Sequence, residues 1–247
     1  GFRPGVMERL GLGPEDMIAV NPRLVYARMT GWGQTGPWAN LAGHDINYIS
    51  ISGVLNAIGP RDAVPSPPLN FFGDYGGGTM FLIFGILSAL IERQSSKRGQ
   101  VVDAAMVDGV TAMMPVLHMF TARGEWTENR EDNLLDGGAP FYRCYETADG
   151  KAMAVGPIEP QFFAEFCDLL GMTAVPLKLQ NDRSRWPEQS ALFAKAFMQK
   201  TRSEWTEVFE GSDACVTPVL SISESEDHPH IKARETLIRG EDGVLQP

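Results

Sequence analysis

One histidine and one aspartate in this sequence are candidates for a pair of side chains that move protons. The stretch LAGHDINYIS places His44 and Asp45 between a turn and an apolar segment. Thirty positions after His44, the stretch LNFFGDYGGGTM places Asp74 at the start of a long apolar segment. Histidine takes up and returns protons near neutral pH, and a carboxylate can act as a second carrier. His44 and Asp74 are therefore candidate acid/base residues.

Each of these residues also has an ordinary structural explanation. His44 could be a histidine hydrogen-bonded to backbone, and Asp74 could be the N-cap of the helix that follows it. The N-terminus of that helix would also offer N–H groups to an enolate oxygen. The glycines Gly76, Gly77 and Gly78 would let a ligand approach the backbone closely. Both explanations stay open on these residues alone.

The elements that must position these residues follow from hydrophobic patterns. Two short helical patterns precede the β-rich stretch RLVYARMTG. We predict a helix from HDINY to Gly53 or Gly59, an apolar helix over Tyr75–Arg93, a strand over VVDAAMVDG and a helix over VTAMMPVLHMFTAR. Strand–helix–strand order predicts an α/β layer with a right-handed crossover.

The pattern changes after the polar stretch GEWTENREDNLLDGGAP. FYRCYETADGKAMAVGPI predicts an antiparallel hairpin that turns at Asp149-Gly150. EPQFFAEFCDLLG and WPEQSALFAKAFMQKTRSEWTEVFEG predict amphipathic helices. We predict four regions: part of a large α/β domain at 1–110, a linker helix and connector at 111–138, a small α+β domain at 139–225, and the start of a return segment at 226–247.

The composition excludes several classes of function. The 247 residues are 43% hydrophobic and 21% charged, as in folded soluble proteins, and the net charge is −10. That charge argues against binding to nucleic acid or to an anionic membrane. The longest apolar run, Met80–Ile91, is too short to span a bilayer and predicts a buried helix. We expect a cytoplasmic protein without nucleic-acid or membrane partners.

Cysteine usage and the two ends of the chain lead to two further expectations. Cys144, Cys167 and Cys215 are scattered without metal-ligand spacing, which predicts structural thiols in a reduced compartment and no metal site. The chain opens GFRPGVMERL without an initiator methionine or a signal pattern, and it ends abruptly in EDGVLQP. We expect a fragment that lacks both ends of a longer protein.

A glycine-rich loop offers a different function. Gly31, Gly33 and Gly36 spell G-x-G-x-x-G after a predicted strand, which is the pattern of dinucleotide-binding loops. However, Pro37 and Trp38 follow at once, and no amphipathic helix begins inside the loop to face a pyrophosphate. A nucleotide-binding module that uses this loop stays an alternative.

Several longer stretches together resemble the α-methylacyl-CoA racemase branch of the family III CoA-transferases. They are NPRLVYARMTGWGQTGPWANLAGHDINY, PLNFFGDYGGG, GQVVDAAMVDG, GPIEPQFF and SDACVTPVLSISESEDHPHIKAR. The resemblance implies an α/β fold with a Rossmann-like large domain, incomplete here, and a smaller α+β domain. It also implies an interlocked homodimer that epimerises 2-methylacyl-CoA thioesters through an enolate, with acyl-CoA as substrate and no cofactor.

The resemblance assigns roles to individual residues. His44 and Asp74 would be the acid/base pair, and Glu159 of the partner subunit would hydrogen-bond His44. The substrate- and CoA-binding candidates are Arg3, Arg9, Tyr142, Asp45, Asn70, Tyr75 and Gly76. The rival within the same family is a CoA-transferase, in which Asp74 would be a nucleophile that forms an acyl anhydride. A histidine at position 44 favours the isomerase.

Overall fold

The structure is a computed structural model that describes residues 2–172 and 175–247. The chain forms two compact units, of which the first ends at Asp136 and the second begins at Gly137. Residues 111 to 136, which we expected to form a linker and connector, fold with the first unit. The sequence-based division of the complete protein into domains stays a prediction.

The first unit contains two strands among short and long helices. In chain order they are α1 (Val6–Arg9), α2 (Pro14–Val20), β1 (Tyr26–Thr30), α3 (Asp45–Ser52), a 3-10 turn (Val54–Ala57), a π-helical segment (Phe71–Met80), α4 (Phe81–Ser96), β2 (Val101–Ala105), α5 (Met106–Ala112) and α6 (Pro115–Ala122). The π-helical segment runs directly into α4.

The two strands of the first unit pair in parallel. Their register runs from Tyr26 opposite Val101 to Thr30 opposite Ala105. This pairing confirms the predicted α/β layer, since parallel neighbours need a crossover connection. The carboxyl ends of both strands therefore lie at the same edge of the sheet.

The sequence placed a strand over residues 101–109 and one helix over residues 110–123, and both extents are wrong. Strand β2 is shorter because α5 follows it at once, where the N–H of Val107 donates to the carbonyl of Gly31 at 3.1 Å. The predicted helix is divided into α5 and α6 because Pro115 has no N–H to donate to a preceding turn.

Helix α3 packs into the apolar core of the first unit. It ends at Ser52 with Gly53 as its C-cap, which is the first of the two predicted ends, and Gly53 has the left-handed conformation common at helix ends, with φ 91°. Ile49 of α3 is fully buried against Val54, Val110 and Met114. This core joins α3, the 3-10 turn and α5.

The helix that carries Asp74 begins earlier than predicted. The sequence placed it over Tyr75–Arg93 with Asp74 as a possible cap. In the structure, Asn70 is the N-cap and Phe71 is the first helical residue. Asp74 therefore lies in the first turn of the helix, where a carboxylate is still favoured by the helix dipole.

Glycines fix the π-helical segment against α5. A Cβ atom on Gly109 would lie 1.9 Å from the carbonyl oxygen of Gly77, so the two backbones touch. A Cβ atom on Gly77 would lie 2.7 Å from the carbonyl oxygen of Met106, and one on Gly76 would lie 3.0 Å from Met113. Helix packing explains these glycines, whereas the sequence assigned them to the approach of a ligand.

The long apolar helix is far more exposed than the sequence predicted. The continuous helix Phe71–Ser96 has 26 residues. It contains an apolar stretch of 18 residues with a mean hydropathy of 1.5, of which 17% is buried. By length and composition it could cross a membrane, so the prediction of a run too short to do so is wrong. Within α4, which the structure describes in full, Ala89 is the one buried residue. Its exposed large apolar side chains are Phe81, Ile83, Phe84, Leu87 and Ile91.

The last segment of the first unit is tied to the Pro-rich loop at residues 60–68. The guanidinium of Arg130 donates to the backbone carbonyls of Asn56 at 3.2 Å, of Pro60 at 2.9 Å and of Ala63. The loop has neither helix nor strand, as its prolines predict. Its carbonyl groups therefore obtain donors from a side chain about 70 residues further along the chain.

The second unit is a small α+β structure. Its elements are β3 (Arg143–Glu146), β4 (Ala152–Val155), α7 (Pro160–Leu169), two 3-10 turns (Leu177–Leu179 and Arg183–Arg185), α8 (Trp186–Phe197), α9 (Arg202–Phe209), β5 (Val216–Pro218), α10 (Ile222–Ser225), α11 (Pro229–Ala233), β6 (Ile238–Arg239) and β7 (Leu245–Gln246). Strands β3, β4 and β5 form an antiparallel sheet in that order.

The hairpin and helices of the second unit confirm the sequence patterns. Strands β3 and β4 are joined through Asp149-Gly150, and Gly150 has a φ of 70°. Helices α8 and α9 are separate because Thr201 and Glu204 cap the second one reciprocally. The aromatic core contains Phe141, Phe163, Phe166, Phe193, Phe197, Trp205 and Phe209.

All three cysteines are free thiols. Cys167 is buried in α7, and burial raises the pKa of its thiol to about 12. Cys167 therefore fits the predicted structural role. Cys144 and Cys215 are exposed instead.

Candidate active site

A cleft opens where the parallel strands of the first unit end. Its volume is about 350 Å³, and its walls include Met29 and Thr30 of β1. His44 and Asp74 both line this cleft. The fold thus brings the two predicted proton carriers to the edge of the sheet where α/β proteins commonly bind ligands.

His44 immediately precedes helix α3. Its backbone is extended, with φ −131° and ψ 174°, and its N–H donates to Oδ1 of Asn47 at 3.0 Å. The residue is exposed. Its backbone is therefore held by the first turn of the helix while the residue stays open to the cleft and to solvent.

Asp45 is the buried partner of the segment that carries Asp74. Its Oδ2 accepts the N–H of Gly73 at 2.6 Å and that of Asp74 at 2.8 Å. Amides in the first turn have no acceptor within their own helix. The expectation that this N-terminus would hold an enolate oxygen is wrong for these two donors, because Asp45 already occupies them.

The side chain of Asp74 is half-buried and has a hydrogen-bond donor of its own. Nδ2 of Asn70 donates to Oδ2 of Asp74 at 3.2 Å. The hydroxyl of Thr79 donates to the backbone carbonyl of Asp74 at 2.9 Å. Asn70 therefore contacts one member of the proposed acid/base pair, Asp74, and its contribution to substrate binding stays a prediction.

Tyr48 also lines the cleft and was missed by the sequence analysis. Its hydroxyl donates to the carbonyl of Gly43 at 2.5 Å. Burial raises the pKa of Tyr48, and the nearby negative charges of Asp74 and Asp45 raise it further. The phenol therefore stays protonated and keeps its hydrogen bond at physiological pH.

The ring of Tyr48 occupies space that two glycines leave open. A Cβ atom on Gly31 would lie 2.1 Å from this ring, and one on Gly43 would lie 2.8 Å from it. The ring of Trp32 packs edge-on against it, with centroids 4.8 Å apart. The spacing of four residues from His44 is the sequence signal for Tyr48, since such residues share a helix face.

The geometry of the glycine-rich loop does not fit a dinucleotide fingerprint. Gly31 is explained by packing, and Gly33 and Gly36 adopt left-handed φ values of 88° and 91°. The structure describes the whole loop, and no helix begins in it before Asp45. The pyrophosphate-binding helix N-terminus that the fingerprint needs is missing at that position.

The other candidates of the first unit differ in whether they line this cleft. Arg3 is exposed and lines it. Among the residues that the structure describes, Arg9, Tyr75 and Gly76 do not line the cleft. Tyr75 is 54% exposed, and its ring lies 6.1 Å from that of Phe71. Their predicted contacts with CoA stay predictions.

Two predicted residues belong to the second unit. Glu159 is the N-cap of α7 at the expected strand-to-helix junction, and its side chain is exposed. Tyr142 immediately precedes β3 and is 38% exposed. Both side chains are accessible at the surface of this unit, and their functional roles stay predictions.

The family model for CoA-transferase family III matches residues 1–247. The chain belongs to CoA-transferase family III. This family III chain is 47% identical over 246 residues to the α-methylacyl-CoA racemase of Mus musculus and 46% identical to that of Homo sapiens. It is 32% identical over 256 residues to the acetyl-CoA:oxalate CoA-transferase of Acetobacter aceti.

The family III chain covers part of the length of these relatives. The alignments include 100% of this chain in all three cases, and 65% of the mouse racemase, 64% of the human racemase and 64% of the Acetobacter transferase. The chain thus spans less than two thirds of each of these proteins.

Solved structures share the fold of the family III chain. The CAIB/BAIF family protein from Brucella suis has a TM-score of 0.76 at 24% identity, and the match covers 99% of this chain and 68% of that one. A hypothetical protein from Mycobacterium tuberculosis has a TM-score of 0.79 at 24% identity, with 99% and 66% covered. The chain therefore has the mixed α/β fold of these structures.

Gly31→Ala in the family III chain should lower the free energy of unfolding by about 2 kcal/mol, because the new methyl group overlaps the ring of Tyr48. Tyr48→Ala removes that ring, so the double variant should lose at least about 1 kcal/mol less than the sum of the single variants. Urea unfolding of the three variants measures this coupling.

Gly156→Ala is the matched control, because a Cβ atom on Gly156 would lie 3.7 Å from its nearest neighbour. Its effect should add to that of Tyr48→Ala. Additive losses for the Gly31 and Tyr48 pair would contradict the packing explanation and return Gly31 to the ligand-binding hypothesis.

Proposed function

We propose that the protein containing this chain interconverts the C2 epimers of 2-methylacyl-CoA thioesters. The observation that carries the proposal is that His44 and Asp74 line one cleft. The identity of 47% with the mouse α-methylacyl-CoA racemase supports the same reaction class. The loop geometry around Gly31 removes the main support for the nucleotide-binding alternative.

Epimerisation breaks the C2–H bond and forms a new C2–H bond on the opposite face. One carrier takes the proton, and the bonding electrons move into the thioester group to give an enolate. The second carrier then donates a proton to the other face of C2, since a single base would mostly restore the original epimer. His44 and Asp74 are proposed as these carriers. The exposure of His44 lets solvent restore its protonation state between turnovers.

Acyl-CoA is the substrate in this proposal, and no further cofactor takes part. Arg3 lines the cleft, and its guanidinium suits phosphate contacts. The other proposed substrate and CoA contacts are made in the complete assembly. They are Arg9, Tyr142, Asn70, Tyr75 and Gly76.

We also propose that the complete protein is an interlocked homodimer with a Rossmann-like large domain and a small α+β domain in each subunit. The exposed apolar side chains of α4 support it, because soluble monomers rarely expose such a continuous surface. In this dimer, Glu159 of the partner subunit would hydrogen-bond His44. A neighbouring carboxylate favours the protonated imidazole and fixes the orientation of the ring.

The rival activity is CoA transfer to a free carboxylate. The Acetobacter transferase supports it at the lower identity of 32%. In that mechanism Asp74 would attack the thioester and release CoA as a mixed anhydride forms. His44 favours epimerisation, because an anhydride mechanism does not need a second proton carrier on the opposite face of C2.

The protein encoded by the complete gene should exchange the C2 proton of 2-methylacyl-CoA with deuterium from heavy water and convert either epimer into a mixture. NMR follows the deuterium exchange, and chromatography of the epimers follows the inversion. The same incubation with a free carboxylic acid tests the rival. Faster CoA transfer than C2 exchange would move the assignment to the transferases.

His44→Ala and Asp74→Ala should each lower the rate of epimerisation by about 10²-fold or more, the usual scale for a positioned acid or base. Because each carrier serves one face, each variant should still exchange the proton of one epimer faster than that of the other. The two variants should prefer opposite epimers. Equal residual exchange from both epimers in both variants would argue against two separate carriers.

The proposed contact between Glu159 and His44 predicts complementation between inactive subunits. After subunit exchange, a mixed dimer of His44→Ala and Glu159→Ala protein has one site with both changes and one site with neither. Activity should therefore return to part of the wild-type level. Mixed dimers that form, as shown by native mass spectrometry, without recovered activity would remove Glu159 from the site across the interface.

A further inference from the structure

Asp45 follows His44 in sequence and contacts the segment of Asp74 in space. Its side chain is 4% exposed, and one oxygen, Oδ2, accepts the N–H groups of both Gly73 and Asp74. The other oxygen, Oδ1, is buried and has no hydrogen-bond partner among the described residues. The hydrogen bonds of this carboxylate are therefore made to the backbone of the segment that carries Asp74.

The two amides would otherwise lack an acceptor. The first four N–H groups of a helix cannot bond within it, and a carboxylate forms shorter and stronger hydrogen bonds to such groups than a neutral acceptor does. Asp45 itself depends on these bonds, because a buried carboxylate without donors is strongly unfavourable. The contact is therefore expected to hold both partners at one distance.

The surrounding packing leaves little freedom for this contact. A Cβ atom on Gly73 would lie 2.8 Å from Oδ2 of Asp45, so only glycine lets the chain approach this closely. On the other side of His44, the hydroxyl of Tyr48 holds the carbonyl of Gly43 at 2.5 Å. The backbone is thus fixed on both sides of His44 and at the residue that carries the opposite carboxylate.

We infer that Asp45 is the positioning residue of the acid/base pair, and that it sets the place of Asp74 relative to His44. It does so through the Asp74 backbone and without touching the substrate, unlike its predicted role as a substrate contact. The inference rests on the proposed function, because its consequence is the rate of proton transfer on the face of C2 that Asp74 serves.

A purely structural cap would behave differently. It would change the fraction of folded protein and lower proton exchange from both epimers by the same factor. A positioning residue instead affects the face served by Asp74, because a displacement of about 1 Å can cost about 10²-fold in rate. The ratio of exchange rates from the two epimers therefore separates the two explanations.

Asp45→Asn in the protein encoded by the complete gene tests the inference. The Asp74-dependent epimer is defined as the one whose exchange falls most in Asp74→Ala. With this epimer as substrate, the kcat of the Asp45→Asn protein for C2 exchange should be about 10²-fold lower than that of the wild-type protein. The kcat for the other epimer and both KM values should stay within about threefold, as expected when binding groups are unchanged.

Asp108→Asn is the matched control, since Asp108 is an exposed aspartate in the first turn of α5. It should leave both exchange rates within about twofold, as surface substitutions usually do. Equal losses from both epimers in Asp45→Asn, or no loss from either, would overturn the inference. A wild-type protein without any C2 exchange would instead overturn the proposed function. The contact of Asp45 with the amides of Gly73 and Asp74 would then be tested by amide hydrogen exchange.

Amide hydrogen exchange at Gly73 and Asp74 tests the contact of these amides with Asp45, and this measurement does not depend on enzyme activity. In the wild-type protein both amides should be protected, although they lie in the first turn of a helix. In Asp45→Asn their protection should fall about tenfold, because a neutral acceptor replaces a charged one. Unprotected amides in the wild type would overturn the inference, and this holds even if Asp45→Asn does not fold.

Discussion

Direct backbone contact between Gly77 and Gly109 is the constraint on which the first unit depends. A side chain at Gly109 would push against the carbonyl of the facing helix, so α5 and the π-helical segment can meet only as glycine against glycine. Because α5 follows β2 without a loop, this contact brings the helix of Asp74 to the ends of the parallel strands. Helix α3 packs against both and carries His44 to the same edge. The cleft is therefore a product of helix packing, with the sheet as its base.

The ionisable groups of the cleft differ in their surroundings, and this difference divides their work. His44 is exposed, Asp74 is half-buried with an amide donor from Asn70, and Asp45 is buried against two backbone amides. An exposed imidazole exchanges protons with solvent readily, whereas a buried carboxylate bonded to amides is held in one place. In the proposed mechanism, proton transfer and alignment are therefore assigned to different side chains, His44 and Asp45, which are neighbours in sequence.

The sequence predicted the elements with local causes. The hairpin followed from Asp149-Gly150, and the helix that begins at Pro160 followed from the amphipathic pattern of EPQFFAEFCDLLG. Features decided by distant partners were wrong or missed. The glycines near Asp74 indicated that something approaches the backbone closely, but not that this neighbour is helix α5. Apolar composition could not show that α4 is exposed. Tyr48 was missed because its significance depends on the space that Gly31 leaves.

The hydrogen bonds of Arg130 determine which stretch of the chain can be exchanged between homologous proteins without loss of a contact. A boundary at residue 110, where the sequence-based division ends the large domain, would remove this guanidinium and leave three carbonyl groups of the segment from Asn56 to Ala63 without their donor. That segment leads directly to the helix of Asp74. Recombination between homologous genes would therefore preserve the cleft when the crossover falls after Asp136. A crossover between Ala63 and Arg130 would require both parents to use the same contact.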